Sequence, residues 1–134
     1  MGSMMTTTRR ALIIDDEQDI CLLLAAVLKK SGFITDFSNT LEEASKKLLK
    51  FDPQLIILDL NLPDGSGFSL IPEIKEKLPN VKVVVCSAYD GPKEKNRAKR
   101  EGADAFVGKP LERSAFKDVI EHLSGRGENG TKTD

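Results

Sequence analysis

The sequence predicts an α/β fold, a doubly wound parallel sheet, on three observations. Five short apolar runs alternate with five helical patterns along the chain, and strands that alternate with helices form parallel sheets whose right-handed crossovers put helices on both faces. The third run, Leu55-Ile56-Ile57-Leu58, is apolar at consecutive positions and therefore needs cover on both faces. Finally, Asp15, Asp16, Asp59, Ser87 and Lys109 all fall at or just after strand ends, the edge at which open α/β sheets bind ligands.

The first strand is expected from about Arg10 to Ile14. Ile20, Leu23, Leu24, Val27 and Leu28 then mark the buried stripe of a helix, which Gly32 stops as its C-terminal cap. Phe33 to Phe37 gives a weaker strand signal and belongs at a sheet edge. Thr40 opens the second helix with Glu43 at capping-box spacing, and its stripe is read as Leu41, Ala44, Leu48 and Leu49. Asp52-Pro53 precedes the third strand, Leu55 to Leu58. Pro63-Asp64-Gly65-Ser66-Gly67 reads as a loop.

The third helix carries Phe68, Leu70, Ile71, Ile74 and Leu78. Pro72 inside it predicts a kink or a late start, since proline has no backbone donor. Val81 to Cys86 is the fourth strand. Pro92 to Glu101 reads as a helix that is polar almost all round, with Ala98 as its one apolar anchor, and hence marginal or mobile. Asp104 to Val107 is the fifth strand, and Phe116, Val119, Ile120 and Leu123 define the last helix.

With 134 residues, 40% hydrophobic and 31% charged, the chain suits one soluble domain over residues 9–123. Residues 1–8 read as an expression scar and disordered start, and residues 124–134 as a disordered tail without an apolar anchor. The net charge of -1 excludes a global basic field for nucleic acid or anionic membrane, and no apolar run approaches a membrane span. Cys21 and Cys86 have no metal-ligand spacing and lie in apolar segments, which fits buried free thiols in a cytoplasmic protein.

A sheet edge that gathers Asp15, Asp16, Asp59 and Lys109 can hold a divalent cation and a phosphoryl group. Clustered carboxylates resist ionisation unless a cation intervenes, and Mg²⁺ takes oxygen ligands while keeping waters that a phosphate can replace. Asp16 and Asp59 are the best direct ligands, Asp15 a water-mediated one, and the Asn61 carbonyl a further candidate. Asp59 can act as a nucleophile, since carboxylates form acyl phosphates, with Lys109 and Ser87 directed at the phosphoryl oxygens.

Taken singly these residues have plainer readings. Asp15-Asp16 suits a helix N-terminus, Ser87 suits a turn, and Phe106 suits a core. The run Lys93, Lys95, Arg97, Lys99, Arg100 is interrupted by Glu94 and Glu101 and lacks interleaved aromatics. It reads as a solvated helix face that tunes a protein partner, with no direct nucleic-acid contact. His122, the one histidine, reads as structural.

The motifs IIDDE, LIILDLNLPDGSG, VVVCSAYD and FVGKP together resemble the receiver domains of response regulators in two-component signalling, over roughly Arg9 to Leu123. The resemblance implies a flavodoxin-like sheet of order 2-1-3-4-5 with five helices. It implies Asp59 as phosphoacceptor, Asp15 and Asp16 as the acidic pair, Ser87 as the hydroxyl that follows phosphorylation, and Lys109 before a cis Pro110. It also implies Phe106 as an aromatic switch. Asn61 and Tyr89 fall where the family sets its dephosphorylation rate.

The partners implied are a histidine kinase or phosphotransfer protein and a downstream protein at the fourth-helix, fifth-strand, fifth-helix face. The role is a regulatory switch rather than an enzyme. A monomer or weak dimer is expected, since the polar fourth helix offers little apolar area. Three other readings fit less well. An aspartate-nucleophile phosphatase of the haloacid dehalogenase kind needs a second Asp where Asn61 stands. A flavodoxin-like cofactor binder needs a phosphate loop where Asp15-Asp16-Glu17 stands. A phosphate-independent adaptor would merely keep the fold and bind its partner regardless of phosphorylation and of Asp59→Asn.

Overall fold

The computed structural model describes residues 9–124, so the expected scar at residues 1–8 and the expected tail from residue 125 lie outside the described residues. In chain order the elements are β1 Arg9–Ile14, α1 Gln18–Lys30, β2 Phe33–Ser38, α2 Leu41–Phe51, β3 Leu55–Leu58, β4 Asn61–Leu62, β5 Gly65–Ser66, α3 Leu70–Lys77, β6 Lys82–Ser87, α4 Pro92–Glu101, β7 Ala105–Gly108 and α5 Arg113–Leu123. Ser124, expected to begin the tail, instead caps α5, its N–H donating to Ile120 O at 3.0 Å.

Five strands form the main sheet in the order β2-β1-β3-β6-β7, with every neighbouring pair parallel. Counted among the sheet strands alone, this is the expected order 2-1-3-4-5. Side-chain alternation divides the core between the faces. Leu12, Ile14, Ile56, Leu58, Val83 and Val85 pack with α2, α3 and Ala98 of α4 on one face. Ala11, Ile13, Leu55, Ile57, Val84 and Cys86 pack with α1 and α5 on the other. All four residues of β3 are buried, as their unbroken apolar run requires.

The element ends follow local chemistry. Gly32 follows α1 at φ +93°, a conformation that favours glycine. Thr40 Oγ1 accepts the Glu43 N–H at 3.0 Å, while Glu43 accepts from the Asn39 N–H, one residue before the cap. Asp64 adds a cap of its own from a distant loop, accepting the Leu41 and Glu42 N–H groups at 2.9 and 3.1 Å. Pro72 sits in the first turn of α3, after a 3₁₀ turn at Gly67–Ser69, which is the late start its missing donor predicts.

Three expectations are corrected. Leu49 is 64% exposed, because the stripe of α2 continues from Leu48 to Phe51 and leaves Leu49 on the outer side. The loop after β3 contains a small antiparallel hairpin, Asn61 pairing with Ser66 and Leu62 with Gly65. The helix expected to be marginal is formed over all of Pro92–Glu101. Besides Ala98 it is held by Arg97, whose guanidinium lies 4.1 Å from the Phe68 ring centroid.

Candidate functional site

The carboxyl ends of β1, β3, β6 and β7 converge because their registers place Ile14 beside Leu58, Leu58 beside Val85 and Ser87 beside Gly108. The residues that follow therefore stand along one edge. The backbone ladder continues past the strands: Asp59 N–H donates to Ile14 O at 2.9 Å, and Lys109 N–H donates to Ser87 O at 2.9 Å. These bonds fix the starting points of the Asp59 and Lys109 side chains.

At that edge Lys109 Nζ donates to Asp15 at 2.9 Å, to Glu17 at 2.9 Å and to Asp59 at 3.3 Å. Asp15 and Asp59 are buried, while Glu17 is exposed. Asp15 is oriented by the Glu17 N–H, which donates to Oδ1 at 2.9 Å. Asp59 is oriented by the Asn61 N–H, which donates to Oδ1 at 3.2 Å. Burial, and then the charge of Asp15, push the Asp59 carboxyl above its ordinary range despite Lys109. Burial also works against the charged ammonium of Lys109, but its bonds to Glu17 and Asp15 outweigh that and hold it above the usual lysine range.

One carboxylate oxygen from each of Asp15, Glu17 and Asp59 lies within 4.8 Å of the others. Such an all-oxygen donor set, with one buried carboxylate disfavoured by another, fits a hard divalent cation. The cleft above it, about 600 Å³, is lined by Asp16, Glu17, Asp59, Asn61, Tyr89 and Lys109, among others. A second groove of about 480 Å³ between α1 and α5 contains no buried charged side chain, so its size gives it no comparable chemistry.

The sequence-derived residues occupy different places in the structure. Asp15, Asp59 and Lys109 meet directly. Asp16 and Asn61 line the cleft without joining that contact, while the carboxylate of Glu17 joins it. Ser87 is fully buried at the end of β6, its Oγ accepting the Tyr89 N–H at 3.1 Å, while Ala88 and Tyr89 form the cleft wall. Phe106 is partly buried on the α4 side of the sheet and lies outside the cleft. The Lys109–Pro110 peptide bond is cis. His122 is exposed on α5 and away from the cluster.

Two further residues shape the site. A side chain at Gly67 would place its Cβ 2.2 Å from the Asp59 carbonyl oxygen, so only glycine allows the hairpin to close beneath Asp59. At Gly108 a Cβ would lie 2.5 Å from Asp90 Oδ2, so glycine lets the 88–90 loop pass beside β7. Both glycines sit in quoted motifs, but their reason is a contact across the chain that the motif alone does not reveal.

Comparison with known proteins shows what the chain is similar to. The chemotaxis protein CheY of Halobacterium salinarum is 26% identical over 94 residues, covering 70% of this chain and 78% of the relative. The non-phosphorylated HemR receiver domain of Leptospira biflexa superposes with a TM-score of 0.80 at 28% identity, covering 87% of this chain and 94% of that one. A response regulator from Burkholderia pseudomallei, solved with a phosphorylated aspartic acid, a calcium ion and citrate, gives a TM-score of 0.77 at 25% identity. There the coverage is 93% of this chain and 72% of that one. Residues 11–121 match the response regulator receiver domain, and the chain belongs to that family.

Proposed function

We propose that residues 9–123 form a phosphorylation-controlled switch in which Asp59 accepts a phosphoryl group from the phosphohistidine of a histidine kinase or phosphotransfer protein. The single observation that carries this is the Lys109 ammonium bridging Asp15, Glu17 and the buried Asp59. An Asp59 oxygen forms the bond to phosphorus as the phosphorus–nitrogen bond breaks, and the imidazole leaves with the electron pair. Burial, and then the neighbouring charge of Asp15, raise the affinity of Asp59 for a proton. A phosphoryl group would bring more negative charge, so the reaction needs cations at hand.

Lys109 supplies one, at 3.3 Å from Asp59. Asp15, Glu17 and Asp59 provide the oxygens that would hold a divalent cation, Mg²⁺ by its ordinary preference for such ligands, with Asp16 and the Asn61 carbonyl beside them. Bound there, the ion would neutralise carboxylate and phosphoryl oxygens together. The phosphoaspartate and calcium ion of the Burkholderia regulator support this reading by likeness.

Ser87 Oγ accepts from the Tyr89 N–H, which leaves its own proton free to donate to a phosphoryl oxygen. Its movement toward that oxygen would give up the Tyr89 bond and repack the segment between β6 and α4. Phe106, paired in register with Val85 two residues before Ser87, would repack with it. The altered face of α4, β7 and α5 would then be read by a downstream protein in the cytoplasm.

Incubation with acetyl phosphate, followed by intact-mass measurement, tests the assignment. A gain of one phosphoryl group that needs Mg²⁺ and disappears in Asp59→Asn is the expected result. Labelling retained in Asp59→Asn would overturn the acceptor, and no labelling beside an active control receiver would favour a phosphate-independent adaptor.

A further inference from the structure

The two buried carboxylates of the cluster follow different strands, yet both are fastened to one short stretch of chain outside the cleft. That stretch is residues 38–42, where β2 ends and α2 begins. None of its residues lines the cleft. Asp15 is held there through its backbone. Its N–H donates to Ser38 O at 3.0 Å, and its carbonyl accepts from Asn39 Nδ2 at 2.8 Å. Asn39 is held in turn, its N–H donating to Glu43 Oε1 in the first turn of α2 at 2.8 Å.

Asp59 is held through the hairpin that follows it. The Asn61 N–H that orients Asp59 Oδ1 belongs to β4, which pairs with β5 across the turn Pro63-Asp64. From that turn Asp64 reaches α2. Its Oδ1 accepts the Leu41 N–H at 2.9 Å and its Oδ2 the Glu42 N–H at 3.1 Å. A helix start leaves such donors without intrahelical partners, so the carboxylate has a defined seat. At the other end of the hairpin, Gly67 N–H donates to Leu60 O at 2.9 Å, beside Asp59.

The geometry points to Asn39 and Asp64 as positioning residues that tie Asp15 and Asp59 to the start of α2, fix the separation of the two carboxylates, and so set the affinity of the cluster for a divalent cation. Mg²⁺ demands near-octahedral geometry, so carboxylates that drift apart hold it less well. Like charges at close range also push the two groups apart unless their backbones are pinned. This positioning rests on the reading of the cluster as a cation site. A plainer role for Asp64 is that it only caps α2. Thr40 separates the two roles, because its Oγ1 caps the same helix through the Glu43 N–H. Among the described residues its side chain makes no hydrogen bond to the hairpin or to Asp15.

Titration of the full chain with Mn²⁺, which takes the same oxygen ligands as Mg²⁺, tests the positioning. The free ion is counted by electron paramagnetic resonance. Asn39→Ala and Asp64→Ala should each weaken binding on the order of tenfold. Asp64→Asn keeps one acceptor oxygen and should recover much of that loss. Thr40→Ala is the control for a merely structural role. It should lower the urea midpoint of unfolding, as a lost cap does, and bind Mn²⁺ as the parent does. Parent affinity in either alanine variant would overturn the role of that residue. A loss in Thr40→Ala equal to that in Asp64→Ala would reduce Asp64 to a cap.

Asp59→Asn distinguishes the positioning from the reading beneath it, and circular dichroism establishes that each variant is folded. An ion that binds Asp59→Asn as tightly as the parent sits elsewhere, and the cation site falls together with its positioning. No binding to the parent would have the same consequence. An ion lost from Asp59→Asn but kept at parent affinity by Asn39→Ala and Asp64→Ala would leave the cation site standing and remove the positioning alone.

Discussion

Helices α1 and α4 hold corresponding positions and are fastened in very different ways. Each follows a strand that delivers residues to the carboxylate edge, and neither has a side-chain hydrogen bond capping its N-terminus. Yet α1 buries Cys21, Leu24, Ala25, Val27 and Leu28, whereas α4 buries Ala98 alone. At roughly 25 cal/mol per Å² of apolar surface removed from water, the first helix is tied down by several buried side chains, and the second by one buried methyl group and the contact of Arg97 with the Phe68 ring. Segments with little buried apolar surface open and shift at low free-energy cost. The contrast makes α1, whose Ile20 lines the cleft, the anchored helix, and α4 the one that opens at lower cost.

The largest effect that would test this contrast is Leu24→Ala. Leu24 is almost fully buried, and such truncations cost about 2–5 kcal/mol. Chemical denaturation should show a loss in that range. A loss no greater than that of an exposed leucine would mean α1 is not the anchored helix.

A smaller effect is expected from Ala98→Gly, about 1 kcal/mol from helix propensity together with the loss of the one buried methyl. Native-state hydrogen exchange sharpens the measurement. The α4 amides should exchange through smaller openings than those of α1, and Ala98→Gly should accelerate α4 selectively. Equal exchange in the two helices would break the comparison.

The smallest effect concerns α2, which differs from both in being capped by Thr40 and by the distant Asp64. Accepting the Leu41 and Glu42 N–H groups holds the Asp64 carboxyl below its ordinary range. Its contribution is therefore present above the unfolded value near 3.8 and is lost as pH falls through the lower folded value. Asp64→Asn should flatten the acid limb of stability against pH and leave the exchange of α1 and α4 unchanged. An unaltered acid limb would remove Asp64 from the set of caps.

The readings that held and those that failed have separable causes. The strands and the stripe of α1 were legible because periodicity and apolar runs report burial directly. Leu49 was misplaced because two adjacent leucines left the phase of the α2 stripe open until Phe51 was seen to join it. Glu94 and Glu101 were read as breaks in a line of charge, although their spacing with Ala98 puts all three on one side of a helix. At the site, Asp15, Asp59 and Lys109 were legible from their places after strands. Glu17 was overlooked as a cluster member because its carboxylate gains its place only by reaching Lys109, ninety-two positions away.

By itself, then, the sequence determined the alternation of strand and helix, the burial of β3, and which polar residues would stand at one edge. These follow from the local periodicities of α and β structure and from the chain's need to bury apolar runs. Only the tertiary structure decided which carboxylates share the Lys109 ammonium, why Gly67 must lack a side chain beneath Asp59, and which way the glutamates of α4 turn. Those outcomes depend on distances of a few ångströms between segments far apart in sequence, and such distances exist only once the sheet has set the register of its strands.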